Sequence, residues 1–226
     1  TGVTGMRILR DIVAGITDPM ALAAHRDHRC RASQDEIVAS FMAKWNEDLP
    51  GCGGHMHQSL WTKDGETNVF FDEARPHKMS KIFEHYLAGQ MLLVQELTAF
   101  FAPTVNSFKR LVECMWAPTR VTWSVDNRTV AFRVIAGSKK SERLETRVPG
   151  ADCNPYLAGA AALGAGLYGI ERKLELPSGP VSGNGYVVEA PILPKNLFEA
   201  ASVLLKSERA RAVFGDDMVE HFGQSR

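Results

Sequence analysis

The stretch RLETRVPGADCNPYLAGAAALGAGLYGI, residues 143–170, decides the fold class, because two kinds of regular structure meet in it. Arg143 to Val148 alternates long polar side chains with apolar or small ones, the period of a β-strand. Asn154-Pro155 then reads as a helix start, with Asn as N-cap and Pro at the first helical position, and a helix is expected to about Leu174. The charge-free run Cys153 to Ile170 reaches minimal membrane-spanning length. It is rich in Gly and Ala and poor in large aliphatics, so a buried helix is expected.

Working outward, short strands are expected at His55–Trp61, Leu111–Val112, Arg120–Ser124 and Thr129–Ile135, all rich in Val, Thr and aromatics. IVASFMAKW, residues 37–45, is also β-compatible. Ser80 should cap a long helix that runs to Phe101, before Pro103. Gly and Pro clusters between 177 and 194 make a long loop. LFEAASVLL after Asn196 and the segment near Asp217–Phe222 read as helices, and Asp18-Pro19 starts another. The mixture is α+β without regular βαβ alternation.

The composition is that of a globular chain. The 226 residues carry 26 Lys+Arg and 26 Asp+Glu, with 45% apolar and 23% charged residues. That excludes disorder and broad non-specific nucleic-acid binding, which need high net charge or a basic excess. No secretory signal opens the chain. Cysteines at 30, 52, 114 and 153 make no CxxC or zinc pattern, so buried free thiols in a reducing, cytoplasmic setting are expected.

Three clusters carry chemistry. In GCGGHMHQS, residues 51–59, alternation puts His55, His57 and Ser59 on one strand face, fed by a glycine-rich turn that lets a ligand approach the backbone. Two imidazoles on one face suit a metal or a phosphate; two solvated histidines on an edge strand are the competing reading. In RLETR, Arg143, Glu145 and Arg147 line one face. A carboxylate there can hold a divalent cation while arginines clamp phosphate or carboxylate; surface ion pairing is the alternative. Arg128, after Asn127, and Arg133 have opposite parity, so one must sit at the strand end or across a bulge if both serve one site. Asn106-Ser107-Phe108-Lys109-Arg110 adds a basic turn. Arginines, histidines and a glutamate in β-rich context suggest phosphoryl chemistry, which works by positioning and charge neutralisation. There is no P-loop and no nucleophile elbow.

GCGGHMHQSLW, NSFKRLV, DNRTVAFRV and RLETRVPGADCNPYLA, in this order, resemble the catalytic domain of the glutamine synthetase family and its glutamate–amine ligase relatives. The resemblance covers residues 38–226, with 1–37 matching poorly. It implies a glutamine synthetase/guanidino kinase-like domain with an antiparallel sheet flanked by helices. It also implies a part only of the family's length, because the small N-terminal β-domain and an upstream Glu-x-Glu metal strand have no counterpart. The implied reaction joins the glutamate γ-carboxylate to ammonia or an amine through a γ-glutamyl phosphate, with ATP and Mg²⁺ or Mn²⁺. The implied partners are glutamate, ATP and an amine, with a ring-shaped homo-oligomer at full length and neither nucleic acid nor membrane.

Residue by residue, the resemblance assigns His55 and Glu145 to the metal. It assigns His57, Ser59, Arg128, Arg133, Lys140 and Arg143 to ATP, and Gly51, Arg110 and Arg147 to glutamate. Arg128 and Arg147 act on the phosphoryl group in flight. One position departs. Ammonia-using members have a flap glutamate just before the Ala-Pro of this segment, where this sequence has Trp116. Tryptophan cannot pair with a cation by charge, though a cation–π contact is open to it, so an organic amine is expected; a neutral packing swap on the flap is the alternative, and Glu113, three residues earlier, is a candidate substitute for the flap glutamate. The alternative function is a non-catalytic fragment or degenerate relative that lacks part of the metal site.

Overall fold

The computed structural model describes residues 51–226 together with residues 7, 8, 11, 18–26, 28, 33 and 34. Its contacts divide the chain into two units, Thr1–Asn46 and Glu47–Arg226. In the first unit Asp18 starts helix α1 (Pro19–Ala23) as expected, its carboxylate accepting from the Met20 and Ala21 N–H groups at 3.2 and 3.1 Å. The candidate strand at 37–45 lies outside the described residues.

The second unit holds the rest in chain order: β1 (Met56–Gln58), α2 (Lys81–Leu93), α3 (Thr98–Phe101), β2 (Trp123–Val125), β3 (Phe132–Ile135), β4 (Arg143–Thr146), α4 (Pro155–Glu171), α5 (Leu197–Leu205), α6 (Glu208–Phe214) and α7 (Asp216–Gln224). The strands order as β1-β4-β3-β2 in one sheet. The expected antiparallel pairing holds for β1–β4 and β3–β4, whereas β2–β3 is parallel. The loop between β2 and β3 makes this possible. Asp126 turns with φ 49°, Asn127 Oδ1 accepts from Thr129 N–H at 2.9 Å, and the chain doubles back.

The inner face of the sheet is apolar. Phe132, Val134 and Leu144 are fully buried against a core that includes Phe70, Phe83 and Tyr86. The Phe70 and Phe83 rings stack with centroids 4.3 Å apart. One polar patch interrupts this face. Tyr86 Oη donates to Gln58 Oε1 at 2.7 Å, Gln58 Nε2 to Thr146 Oγ1 at 2.9 Å, and Thr146 Oγ1 to Gln90 Oε1 at 2.7 Å. Gln90 Nε2 reaches back to Gln58 Oε1 and on to the Ala162 carbonyl. Buried hydrogen bonds specify register more sharply than hydrocarbon contacts do. This network ties β1, β4, α2 and α4 together.

The Gly/Ala-rich run forms α4, whose inner stripe Ala158, Ala161, Ala162, Ala165, Gly166 and Gly169 is buried. Its other side exposes Tyr156, Leu163 and Leu167. Among the described residues, no helix is long and apolar enough to cross a membrane. A Cβ on Gly89 of α2 would collide with the Ala165 carbonyl oxygen of α4, so backbones touch where these helices cross.

Several expectations need correction. The helix from Ser80 ends at Leu93 and resumes only at Thr98. There Thr98 Oγ1 donates to the Val94 carbonyl, and Glu96 is drawn aside to Ser207 and Arg209; hydroxyl back-bonding of this kind bends helices. Leu111–Val112 is not a strand. Thr104 and Ser107 form a capping box that winds Val105–Lys109 into a 3₁₀ turn, and Leu111 N–H continues it onto Phe108 O. Helix α6, capped by Ser207, was not anticipated. Cys52 and Cys114 are exposed and Cys153 is half-buried, against the expectation of buried thiols.

Candidate active site

The outer face of the sheet gathers most of the expected residues. Register places His57 opposite Glu145 and Glu145 opposite Arg133, so all three point to the same side. His55 Nδ1 lies 3.2 Å from Glu145 Oε1, and Arg147 Nη1 donates to the same oxygen at 2.6 Å. Arg133 Nη1 donates to Glu145 Oε2 at 3.1 Å, and its Nη2 to Asp126 Oδ1 at 3.2 Å. Arg143 Nε donates to His57 Nδ1 at 3.1 Å. One buried carboxylate thus organises two guanidiniums and an imidazole.

The electrostatics follow from this arrangement. Burial pushes the Glu145 carboxyl upward, but His55, Arg147 and Arg133 outweigh it and bring it down to about 2. Burial lowers the His57 imidazole; Glu145 opposes that, while Arg143 and Arg133 add to it. Arg110 is buried, and burial draws its guanidinium down to about 10 although Asp152 opposes the shift. The Nε atoms of Arg110, Arg133 and Arg147 are buried without a hydrogen-bond partner among the described residues.

Gly51 and Arg110 are neighbours. A Cβ on Gly51 would stand 2.9 Å from the Arg110 Cβ, so glycine is what lets this loop lie against the arginine. Arg110 also donates through Nη2 to the Val148 carbonyl, which sets it one residue beyond Arg147. Ser59 is half-buried and accepts from Trp61 Nε1 at 2.9 Å, without a bond to the histidine–glutamate cluster. Arg128 is exposed on the β2–β3 loop, which resolves its parity conflict with Arg133: it has left the strand. Lys140 is exposed on the β3–β4 loop. Trp116 is 61% exposed with φ 61°, in a turn. Glu113 is engaged by Arg120 at 2.8 Å, which removes it as an uncommitted substitute carboxylate.

Sequence reasoning missed three acids. Asp126 holds the outer side of Arg133. Asp152 accepts from Ser107 Oγ at 2.7 Å, bracing the turn that carries Arg110. Glu142 is wholly buried under the β3–β4 loop. Only Asp126 had a signal, its place beside Asn127-Arg128. Among the described residues no group of three or more His, Cys, Asp or Glu is placed to hold a metal ion.

The model of the glutamine synthetase catalytic domain matches residues 22–226. The chain is 50% identical over 201 residues to a type-1 glutamine synthetase 2 of Dictyostelium discoideum, covering 86% of this chain and 38% of that protein. It is 41% identical over 198 residues to a glutamate–isopropylamine ligase of a Pseudomonas species, covering 86% and 43%. It is 44% identical over 191 residues to a γ-glutamylethanolamide synthetase of Streptomyces coelicolor, covering 84% and 40%. The solved structure of a GmaS/ADP complex superposes with a TM-score of 0.71 at 32% identity, over 85% of this chain and 48% of that one. The chain spans about two fifths of the length of these curated relatives.

Proposed function

The chain belongs to the glutamine synthetase catalytic-domain family, and from that premise we propose that it carries the nucleotide- and glutamate-handling residues of an ATP-dependent glutamate–amine ligase. The observation that carries this reading is Glu145, held between His55, Arg133 and Arg147 on one sheet face beside the Gly51–Arg110 loop. The guanidinium groups of Arg110 and Arg147 suit the carboxylates of glutamate, and that of Arg133 suits a phosphate, because planar paired N–H donors match those oxygens.

In the proposed reaction a γ-carboxylate oxygen of glutamate attacks the ATP γ-phosphorus, ADP leaves, and an acyl phosphate forms. The amine nitrogen then attacks the acyl carbon; phosphate departs with the C–O electron pair, and the nitrogen loses a proton. Arg147 lies close to the carboxylate undergoing reaction, and Arg128, on an exposed loop, supplies charge to the moving phosphoryl. His57, Ser59, Lys140 and Arg143 are proposed to meet ATP. A ring-shaped homo-oligomer and a cytoplasmic setting, both implied by the family, belong to the same proposal.

A divalent cation fits the described residues poorly. His55 and Glu145 supply one imidazole and one carboxylate, and both Glu145 oxygens already accept from guanidinium groups. Mg²⁺ demands near-octahedral, mainly oxygen ligation. Phosphate, water and carboxylates outside the described residues must complete any such site. This shortage is what favours the second reading, a non-catalytic relative. Calorimetric titration with ATP and with glutamate separates the two: binding of both supports the ligase reading, and binding of neither by folded protein overturns it.

A further inference from the structure

The β3–β4 loop carries Lys140 and delivers Arg143 to the outer face, and it is held from beneath by a carboxylate with no part in the chemistry above. Glu142 is 0% exposed. Its Oε2 accepts from Gly137 N–H at 2.7 Å, at the opposite end of the loop, while its Oε1 is buried without a hydrogen-bond partner among the described residues. Its backbone is fixed as well. Asn68 Nδ2 donates to the Glu142 carbonyl at 2.8 Å, and Glu142 N–H donates to Ser138 O at 3.0 Å. Asn68 is itself buried and accepts from Phe70 N–H through Oδ1 at 3.1 Å.

The loop above this anchor is wound tightly. Ser138 N–H donates to Ser141 Oγ at 2.8 Å, and a Cβ at Gly137 would strike that hydroxyl. Arg143 Nη1 donates to Ser141 O at 2.8 Å, and its Nε to His57 Nδ1. Loop and candidate nucleotide site are therefore one connected unit. A loop that needed only to close could do so with an apolar residue at 142. Burying a carboxylate opposes folding, and burial raises this one to about 6, with the Gly137 N–H and then Lys78 drawing it back and Asp126 adding to the rise. Groups that cost stability concentrate where a site must be held in place.

We propose that Glu142 is a positioning residue for the nucleotide. It clamps the Gly137 N–H so that the loop holds Lys140 and Arg143 over the sheet face where the ATP phosphates bind. The inference rests on the ligase reading above. The test is titration of the whole chain with ATP and, separately, with glutamate, beside thermal unfolding. Glu142→Leu is expected to weaken ATP binding about tenfold or more, the scale of a hydrogen bond to a charged group. Its glutamate affinity should stay within about twofold and its thermal midpoint should hold or rise. Glu142→Gln, whose amide oxygen still accepts from Gly137, should restore ATP affinity to within about threefold of the parent. Should the leucine variant not fold, Glu142→Asp, one methylene short of the Gly137 N–H, carries the same expectation for ATP. Unchanged ATP affinity in the leucine or aspartate variant overturns the inference and leaves the ligase reading standing. So does equal weakening of both ligands with a lowered midpoint, or failure of glutamine to restore binding. A parent chain that binds neither ligand removes the ligase reading and this inference with it.

Discussion

Glu145 and Arg147 lie two residues apart on one extended segment, and Arg147 Nη1 donates to Glu145 Oε1 at 2.6 Å with both side chains buried. The strand period makes this contact, since i and i+2 share a face. The same oxygen faces His55, so a single atom of β4 holds both the residue that leads into β1 and the residue that follows β4.

Removing that charge should be expensive. Glu145→Gln leaves Arg133 and Arg147 without their shared anion, and losing one partner of a buried pair costs about 3–5 kcal/mol. Urea unfolding of the variant should show a midpoint well below that of the parent. An unchanged midpoint means the arginines are solvated and the buried-hub picture is wrong.

The two carboxylates of this strand region titrate in opposite directions. Glu145, lowered from 4.5 to about 2, adds stability above pH 4.5 that is lost as pH falls toward 2. Glu142, raised from 4.5 to about 6, adds stability below pH 4.5 that is lost as pH rises through 6. In metal-free buffer, Glu142→Gln should abolish the decline between pH 4.5 and 6 and leave the acid limb intact. Urea midpoints across that range decide it.

Arg128 should act on rate more than on binding. It is exposed on a loop, outside the Glu145 cluster. Arg128→Ala is expected to lower turnover by about 100-fold or more while ATP affinity changes by less than about threefold, the pattern of a group used in the transition state. Phosphate release and ATP titration supply the two numbers; parallel losses would remove the assigned role.

Trp116 should govern the choice of amine. With Glu113 engaged by Arg120, the exposed Trp116 turn offers an aromatic surface and no uncommitted carboxylate. Phosphate release with a panel of amines should favour organic amines over ammonia, and Trp116→Glu should move the preference toward ammonia. Ammonia outcompeting every organic amine in the parent protein would contradict this.

Gly89→Ala should destabilise strongly. The added methyl meets the backbone of α4 and cannot be relieved by a rotamer change. Overpacking of this kind costs about 1–3 kcal/mol or more, readable as a lowered thermal midpoint.

Local chemistry was legible in the sequence. Parity alone put Arg143, Glu145 and Arg147 on one face and His55 beside His57, and Asn154-Pro155 and Asn196 marked helix starts that the structure keeps. What stayed hidden depends on partners distant in sequence. Thr98 breaks the expected helix through its own hydroxyl while Glu96 is recruited by residues more than a hundred positions away. The loop that makes the parallel β2–β3 pairing possible is also tied to a distant segment, Asn127 Nδ2 donating to the Gly183 carbonyl at 2.7 Å. Nothing in SKKSER marks Glu142 as buried, because burial is a property of what covers a residue. Ser59 and Lys140 belong to the proposed site through the family's motif, with no bond of their own to the Glu145 cluster.

The glycine contact between α2 and α4 has a mechanical side. Where backbone rests on backbone there is no soft layer of side chains to yield, so the spacing of the two helices behaves as a rigid shim. Gln58 and Thr146 hang from those helices through Gln90, Tyr86 and the Ala162 carbonyl. A change of a few tenths of an ångström at the shim is therefore delivered to the opposite face of the sheet, where His57 and Glu145 are held in register by the same strands.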